Sequence, residues 1–73
     1  MRIYNLNVIF ENNDWIATYF NADSIEEIIE HYKGYEFEYY DGEITATYAI
    51  EIKDENNKMI MTHYYKGVVK NEN

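Results

Sequence analysis

Carboxylates are the most abundant reactive side chains in this chain, and they are unevenly distributed. Residues 11 to 55 hold thirteen Asp and Glu residues against Lys33 and Lys53, a net charge of −11, whereas the remaining residues sum to +3. Glu36 and Glu38 are alternate residues in the densest part of this segment. A pair of carboxylates can perform acid and base catalysis only where one of them is desolvated enough to raise its pKa. The sequence around this pair offers no pocket wall, so we expect no catalysis there.

The other residues of reactive type form no known catalytic or metal-binding pattern. His31 follows Glu27 by one helical turn and could share a metal with it, but two histidines are too few for the usual catalytic zinc sites. Ser24, the only serine, is better explained as a helix cap. The glycines are scattered and form no phosphate loop. The sequence therefore predicts a protein that is not an enzyme and uses neither a metal nor another cofactor.

Length and composition predict one small acidic domain that spans residues 1 to 73. A chain this short buries only about 60% of the surface that its unfolded form exposes, and without cysteine it has no disulfide to add stability. Polar residues interrupt the N-terminal segment, and no stretch approaches the roughly 20 apolar residues of a membrane span. We therefore expect a cytoplasmic protein that does not bind membranes. The abundance of Asn, Ile, Lys, Tyr and Glu is typical of A/T-rich genomes, such as those of Gram-positive bacteria and their phages.

Alternating side chains predict a first hairpin. Residues 2 to 10 alternate between apolar and polar side chains, which is the period of a half-buried strand. A polar turn over residues 11 to 14 follows, and residues 15 to 20 have the β-branched and aromatic content of a second strand. The face of the first strand that we expect to be buried comprises Tyr4, Leu6, Val8 and Phe10.

A short helix is predicted between Ser24 and Gly34. Ser24 and Glu27 fit the capping box at its start, and Gly34 fits the left-handed residue that ends many helices. Four apolar residues recur at the spacing of one buried stripe: Ile25, Ile28, Ile29 and Tyr32. The acids of this helix and of a later turn make a secondary candidate patch for partner binding: Glu26, Glu27, Glu30, Asp54 and Glu55.

Asp41 and Gly42 predict a second hairpin with a two-residue type I′ loop, because both positions of that loop need positive φ. Such a loop pairs Tyr40 with Glu43 and Phe37 with Ala46. The face toward the core then comprises Tyr35, Phe37, Tyr39, Ile44, Ala46, Tyr48, Ile50 and Ile52. The opposite, acidic face comprises Glu36, Glu38, Tyr40, Glu43, Thr45, Thr47 and Glu51.

A last strand is predicted from about Lys58 to Val69, and its register has two possible solutions. A loop with an even number of residues would direct Met59, Met61, His63 and Tyr65 toward the core. A loop with an odd number would direct Ile60, Tyr64 and Val68 there instead. We favour the even loop, which leaves the second set beside the acidic face or in a dimer interface.

These elements predict an α+β fold: a mainly antiparallel sheet of four or five strands, in the order ββαβββ, with one short helix packed on one face. One short helix cannot cover five strands. An uncovered sheet face or a bare edge strand is therefore available to a partner or to a second copy of the chain.

The acidic face of the second hairpin is the strongest candidate for function. Alternate residues on a strand lie roughly 6.6 to 6.8 Å apart, so a row of glutamates can imitate the regular charge of a nucleic-acid backbone. Tyrosines on small β-proteins often stack on bases, but here their neighbours are glutamates, which disfavours direct binding to DNA or RNA. The predicted partner-binding residues are Glu36, Glu38, Tyr40, Asp41, Glu43 and Glu51.

In size, acidity and tyrosine content the chain is similar to phage-encoded DNA-mimic inhibitors of restriction enzymes, CRISPR effectors and uracil-DNA glycosylase. The similarity is one of general character and involves no sequence motif. It implies a non-enzymatic inhibitor, encoded by a phage or mobile element, that occupies the basic nucleic-acid site of a host defence protein such as a nuclease or CRISPR effector. The alternatives are a small structural or regulatory domain that homodimerises through its last strand, a ligand-binding protein with a tyrosine-lined pocket, and a solvated acidic surface that only maintains solubility.

Overall fold

A computed structural model describes residues 1–65 as an antiparallel sheet of five strands with one short helix. This confirms the predicted α+β class. No helix in this part of the chain is both long and apolar enough to cross a membrane. In chain order the elements are β1 (Arg2–Phe10), β2 (Trp15–Ala22), α1 (Ile25–Tyr32), β3 (Glu36–Glu38), β4 (Ile44–Lys53) and β5 (Met59–Tyr64).

The long strand β4 is the centre of the sheet. β1 pairs with one side of β4 and β2 pairs with β1, while β3 and β5 pair with successive parts of β4. The Ala46 carbonyl accepts a hydrogen bond from the amide of Glu11, the residue after β1. The amide of the next residue, Thr47, donates a hydrogen bond to the carbonyl of Tyr35, the residue before β3. Adjacent strand residues direct their backbone groups to opposite sides. The sheet therefore has two edges, one formed by β2 and the other by β3 and β5 end to end.

All three hairpins have loops of three residues, each with one residue at positive φ: Asn13, Gly42 and Asn57. The predicted two-residue loop at Asp41 and Gly42 is wrong, because Gly42 has φ +92° but Asp41 does not have positive φ. The Tyr39 amide donates to the Glu43 carbonyl, and the Asp41 carboxylate accepts from the Glu43 amide at 3.1 Å. A turn followed by a left-handed glycine is the usual three-residue hairpin loop, and Asp before Gly is compatible with it.

The longer loop shifts the register between β3 and β4 by one residue, so that Phe37 lies opposite Thr45. A shift of one residue reverses which side chains face the core. Thr45 and Thr47 are consequently buried, and Ile44 is 58% exposed, contrary to prediction. Ala46 and Tyr48 are likewise not part of the buried core. Glu43 lies opposite Tyr39 and is not in the row of Glu36 and Glu38.

A β-bulge at Tyr48 reverses the alternation again. Ile9 lies opposite Ala49 and Phe10 opposite Thr47, so Tyr48 is the extra residue between them. Ile50 and Ile52 therefore face the core as predicted. The longer loop and the bulge each shift the alternation by one residue, and the second shift cancels the first. The predicted core face is therefore right before the loop and after the bulge, and wrong between them.

The core lies between α1 and one face of the sheet, and we call the opposite face of the sheet the outer face. The predicted apolar side of β1 is buried there, as are Ile28 and Tyr32 of the helix, with Ile25 and Ile29 half-buried against them. The Ser24 hydroxyl accepts from the Glu27 amide at 3.3 Å, and a Glu27 carboxylate oxygen accepts from the Asp23 amide at 2.8 Å. The predicted helix cap is thus present.

On β5, Met61 and His63 lie opposite Ile52 and Ile50, and Tyr65 is buried. These three residues therefore face the core, as predicted. The predicted even loop is wrong, because the loop over residues 55 to 57 has three residues, and a bulge at Ile60 reverses the alternation after it. The three-residue loop places Met59, ahead of the bulge at Ile60, opposite Lys53, where it is 50% exposed, so its predicted core position is wrong. Val68 and the end of the predicted strand at Val69 lie outside the described residues.

Candidate functional site

The β3–β4 hairpin brings together most of the predicted partner-binding residues, and we call Glu36, Glu38, Asp41 and Glu43 the acidic hairpin. Glu36 and Glu38 project from the outer face, opposite Ala46 and Ile44 respectively. Both carboxylates are exposed and make no side-chain hydrogen bond or ion pair within residues 1–65. Tyr40, at the tip of the loop, is fully exposed. The hairpin therefore presents two free carboxylates and one free aromatic ring on an edge of the sheet.

A contact with the β1–β2 loop fixes the position of this hairpin. The Tyr39 hydroxyl donates to the Asp14 carboxylate and accepts from Asn12 Nδ2 at 2.9 Å. The hydrogen bond to Asp14 raises the pKa of Tyr39, because ionisation would break it, and the carboxylates of Asp14 and Asp41 add to the effect. Asp14 is thus a further acid beside the hairpin. Sequence analysis missed this contact, since no local pattern reports which two loops meet.

Glu51 occupies a different part of the outer face. It lies in a row across the sheet between Asn7 and Thr62 and is half-buried. Asn7 Nδ2 donates to Glu51 Oε1 at 3.0 Å. The carboxylate therefore already has a partner, and the bulge at Tyr48 separates it from the acidic hairpin. Glu51 shares the face that we predicted, but it is not a free charge beside Glu36.

The secondary acidic patch is divided between two places. Glu26 and Glu30 are exposed on α1, whereas the Glu27 carboxylate belongs to the helix cap. Asp54 accepts hydrogen bonds from two backbone amides of its own turn. Asp54 and Glu55 also line an open cleft of about 670 Å³. The other residues that line this cleft are Met1, Arg2, Ile3, Tyr4, Ile25, Asn56 and Ile60. The two turn acids thus lie near cationic groups of the N-terminus, and the helix acids do not line this cleft.

An apolar row crosses the outer face next to the acidic hairpin. Trp15 lies opposite Ile9, Ile9 opposite Ala49, and Ala49 opposite Tyr64, so one row contains a residue from each of four strands. Trp15 and Tyr64 are each 61% exposed. Sequence analysis missed this row because it treated the outward positions of β1 as polar, and the available signal was the apolar Ile9 at one of those positions.

The two histidines pack against aromatic rings. The His31 ring centroid lies 4.8 Å from those of Phe20 and Tyr32, and the His63 centroid lies 4.8 Å from that of Tyr65. Residues 1–65 contain no group of three or more His, Cys, Asp or Glu side chains that could hold a metal ion. The contacts of both histidines are those of packing residues.

Most of the negative charge is not neutralised within the fold. Residues 1–65 contain thirteen of the fourteen acidic residues, all but Glu72, against Arg2, Lys33, Lys53 and Lys58, a net charge of 4 − 13 = −9. Within this part of the chain a single ion pair forms, between the Met1 amine and Asp23 Oδ1 at 3.4 Å. Comparison of the chain with protein-family models, curated proteins and solved structures found no match.

Proposed function

We propose that this protein is a non-enzymatic inhibitor whose acidic hairpin occupies a basic nucleic-acid-binding site of a partner protein. The partner that fits best is a nuclease or CRISPR effector of a bacterial host, and the gene then belongs to a phage or mobile element. The observation that carries the proposal is the pair of exposed, unpaired carboxylates of Glu36 and Glu38 on a protein with little internal charge compensation.

The position of the charges favours binding over simple solubility. Glu36 and Glu38 are on one face of an edge strand, with Asp41 at the loop and Asp14 beside it. Charges fixed on a strand present a regular spacing, whereas charges that serve only solubility need no fixed arrangement. A groove lined by Lys and Arg, built to hold phosphates, is complementary to such an arrangement.

Rigidity supports the same function. The Tyr39 contacts and the turn hydrogen bonds of Asp41 hold the hairpin against the rest of the fold. A preorganised surface loses less conformational entropy when it binds. Tyr40, which is free at the tip, adds an aromatic surface on which an arginine of the partner can stack.

The mechanism is competition. Long-range attraction between the acidic surface and a basic cleft speeds the encounter and depends on ionic strength. Once bound, the hairpin excludes the phosphate backbone from the same cleft. No chemical step is involved, so inhibition is reversible and stoichiometric.

Competitive release tests the function. The protein is immobilised, a bacterial host lysate is passed over it at low salt, and the bound proteins are eluted first with duplex DNA and then with salt. The proposal predicts that DNA releases a nuclease or another nucleic-acid-binding protein. A bound set that DNA fails to release, or that contains no nucleic-acid-binding protein, would contradict it.

A further inference from the structure

The two edges of the sheet differ in how they are protected against pairing with another strand. β3 is three residues long and has two glutamates, and β5 is interrupted by the bulge at Ile60. Short length, charge and bulges are the usual means by which edge strands avoid association. β2 has none of them: it pairs with β1 in eight successive positions without a bulge, and its sequence, WIATYFNA, contains neither proline nor a charged residue.

The register of β2 determines which of its backbone groups lack a partner in the sheet. The Phe10 amide donates to the Asp14 carbonyl, and bonded pairs recur every second residue in an antiparallel ladder. Ile16, Thr18 and Phe20 therefore bond to β1. The amides and carbonyls that point away from the sheet belong to the intervening residues: Trp15, Ala17, Tyr19 and Asn21.

We propose that β2 pairs antiparallel with β2 of a second copy of this chain, around a two-fold axis at Thr18. In this register Ala17 lies opposite Tyr19 of the second copy, and Trp15 lies opposite Asn21. Every outward amide and carbonyl from Trp15 to Asn21 then has a partner. The two sheets join into one continuous sheet.

The side chains of β2 match themselves in this register. On the outer face, the ring of Tyr19, which is 66% exposed in the single chain, packs beside the small Ala17 of the other copy. On the core face, Ile16 pairs with Phe20 and Thr18 with its own equivalent. Aromatic pairs with aliphatic residues, and threonine pairs with threonine, are favourable cross-strand neighbours.

Charge identifies a second copy as the occupant. Two molecules that each have a net charge of −9 over residues 1–65 repel each other wherever their acids meet. β2 is an uncharged strip between Asp14 and Asp23, and Glu36 and Glu38 lie on β3, at the opposite edge of each sheet. A basic partner would instead gain nothing from a strip that has no carboxylate.

The oligomeric state of two proline variants tests the proposal. Ala17→Pro removes an amide that points outward, so the β1–β2 ladder is retained while pairing with a second copy is blocked. Thr62→Pro is the matched control, because its amide points outward from the other edge, on β5. Light scattering at about 100 μM should give twice the monomer mass for the parent and for Thr62→Pro, and loss of the dimer for Ala17→Pro. A monomeric parent, or a dimer that is lost only in Thr62→Pro, would overturn the proposal; the latter result would place the second copy on the last strand.

A cysteine crosslink tests the register without relying on proline. The chain has no cysteine, so Thr18→Cys introduces one thiol per copy at the two-fold axis. Opposed residues at a non-hydrogen-bonded position are about 4.5 Å apart between Cα atoms, within the range of a disulfide. Oxidation should crosslink Thr18→Cys into a dimer but not Asn21→Cys, whose equivalents would be roughly 20 Å apart. Failure of Thr18→Cys to crosslink, or equal crosslinking of both variants, would overturn the register.

Discussion

The Tyr39 hydroxyl donates a hydrogen bond to the Asp14 carboxylate and joins the tips of two hairpins whose residues are 25 positions apart in the chain. The same hydroxyl accepts from Asn12. The acidic hairpin is thereby held by its core-side tyrosine, while Glu36 and Glu38 remain free on the outer face. The contact that fixes the hairpin and the charges proposed to bind a partner are separate groups, so each can be changed without the other.

Removal of the Asp14 charge should lower the pKa of Tyr39 toward its ordinary value. The hydrogen bond to the carboxylate is the largest cause of the raised pKa, because it stabilises the neutral phenol. A pH titration of the tyrosine side-chain carbon resonances by NMR would compare the parent with Asp14→Asn. Asp23→Asn, at the Met1 ion pair, is the control and should leave Tyr39 unchanged. A Tyr39 titration that is identical in the parent and Asp14→Asn would show that the contact does not form in solution.

Truncation of Ile28 should destabilise the fold strongly. Ile28 is completely buried between α1 and the sheet, and a buried isoleucine truncated to alanine costs about 2 to 5 kcal/mol. That is a large part of the free energy of unfolding of a small domain. Urea denaturation followed by circular dichroism measures the loss, with the exposed Glu26→Ala as control. An Ile28→Ala midpoint equal to that of the parent would contradict the helix packing.

Tyr65 should couple stability to alkaline pH. Its hydroxyl donates to the Ile29 carbonyl at 2.8 Å, and loss of such a hydrogen bond in Tyr65→Phe costs about 1 kcal/mol. Burial, followed by the charge of Glu30 and the proximity of Tyr32, raises the pKa of Tyr65 to about 12. The folded state thus favours the neutral phenol. The resulting gain in folding stability is fully present below about pH 10, the ordinary pKa of tyrosine in the unfolded chain, and is lost as the pH rises toward the pKa in the folded state.

The advantage of the parent over Tyr65→Phe should therefore shrink as the pH rises from 10 toward 12. Urea denaturation of both proteins at pH 8 and pH 11 measures the difference. Since the variant retains every other tyrosine, it controls for their ionisation. An advantage that is constant, or that grows with pH, would contradict the burial of this hydroxyl.

Gly42 should tolerate asparagine better than alanine. Its φ of +92° lies in the region that L-residues avoid, and a Cβ built at this position meets no atom within 4 Å. The cost of Gly42→Ala is therefore one of backbone conformation, about 1 kcal/mol, and asparagine pays less of it. Thermal melts of the two variants would test this order. Equal stability of Gly42→Ala and the parent would show that the loop does not have this conformation.

Local signals predicted the elements of this fold. The alternation of Tyr4, Leu6 and Val8 and the spacing of Ile28 and Tyr32 identify buried faces, because a side chain's direction follows directly from strand or helix periodicity. The cap at Ser24 is equally local. These features need no information about the rest of the chain.

Register and loop contacts could not be predicted in the same way. Asp41 and Gly42 suit both a two-residue and a three-residue loop, and the choice reverses the side chains that follow, here as far as the bulge at Tyr48. The bulge at Tyr48 depends on how β1 and β3 meet β4 from opposite sides. The candidate site shows the same division, since Glu36 and Glu38 were found from alternation, whereas Asp14 reaches Tyr39 only through the packing of two hairpins.

The central claim is that the two free carboxylates of the acidic hairpin bind a basic cleft, and a charge-reversal pair tests it most directly. Glu36→Lys with Glu38→Lys changes the net charge by the same amount as Glu26→Lys with Glu30→Lys, which alters only exposed helix acids. Exposed charges contribute little to stability, so both double variants should fold, as circular dichroism would verify.

The decisive measurement is the affinity of each double variant for the protein that duplex DNA releases from the immobilised parent, at low and at physiological salt. We predict that the hairpin variant loses most of its affinity, because attraction becomes repulsion at the binding site. The helix variant should lose less affinity, because only the long-range attraction due to the net charge is reduced. Equal affinities for the parent and the hairpin variant, or equal losses in both variants, would show that Glu36 and Glu38 do not form the binding site.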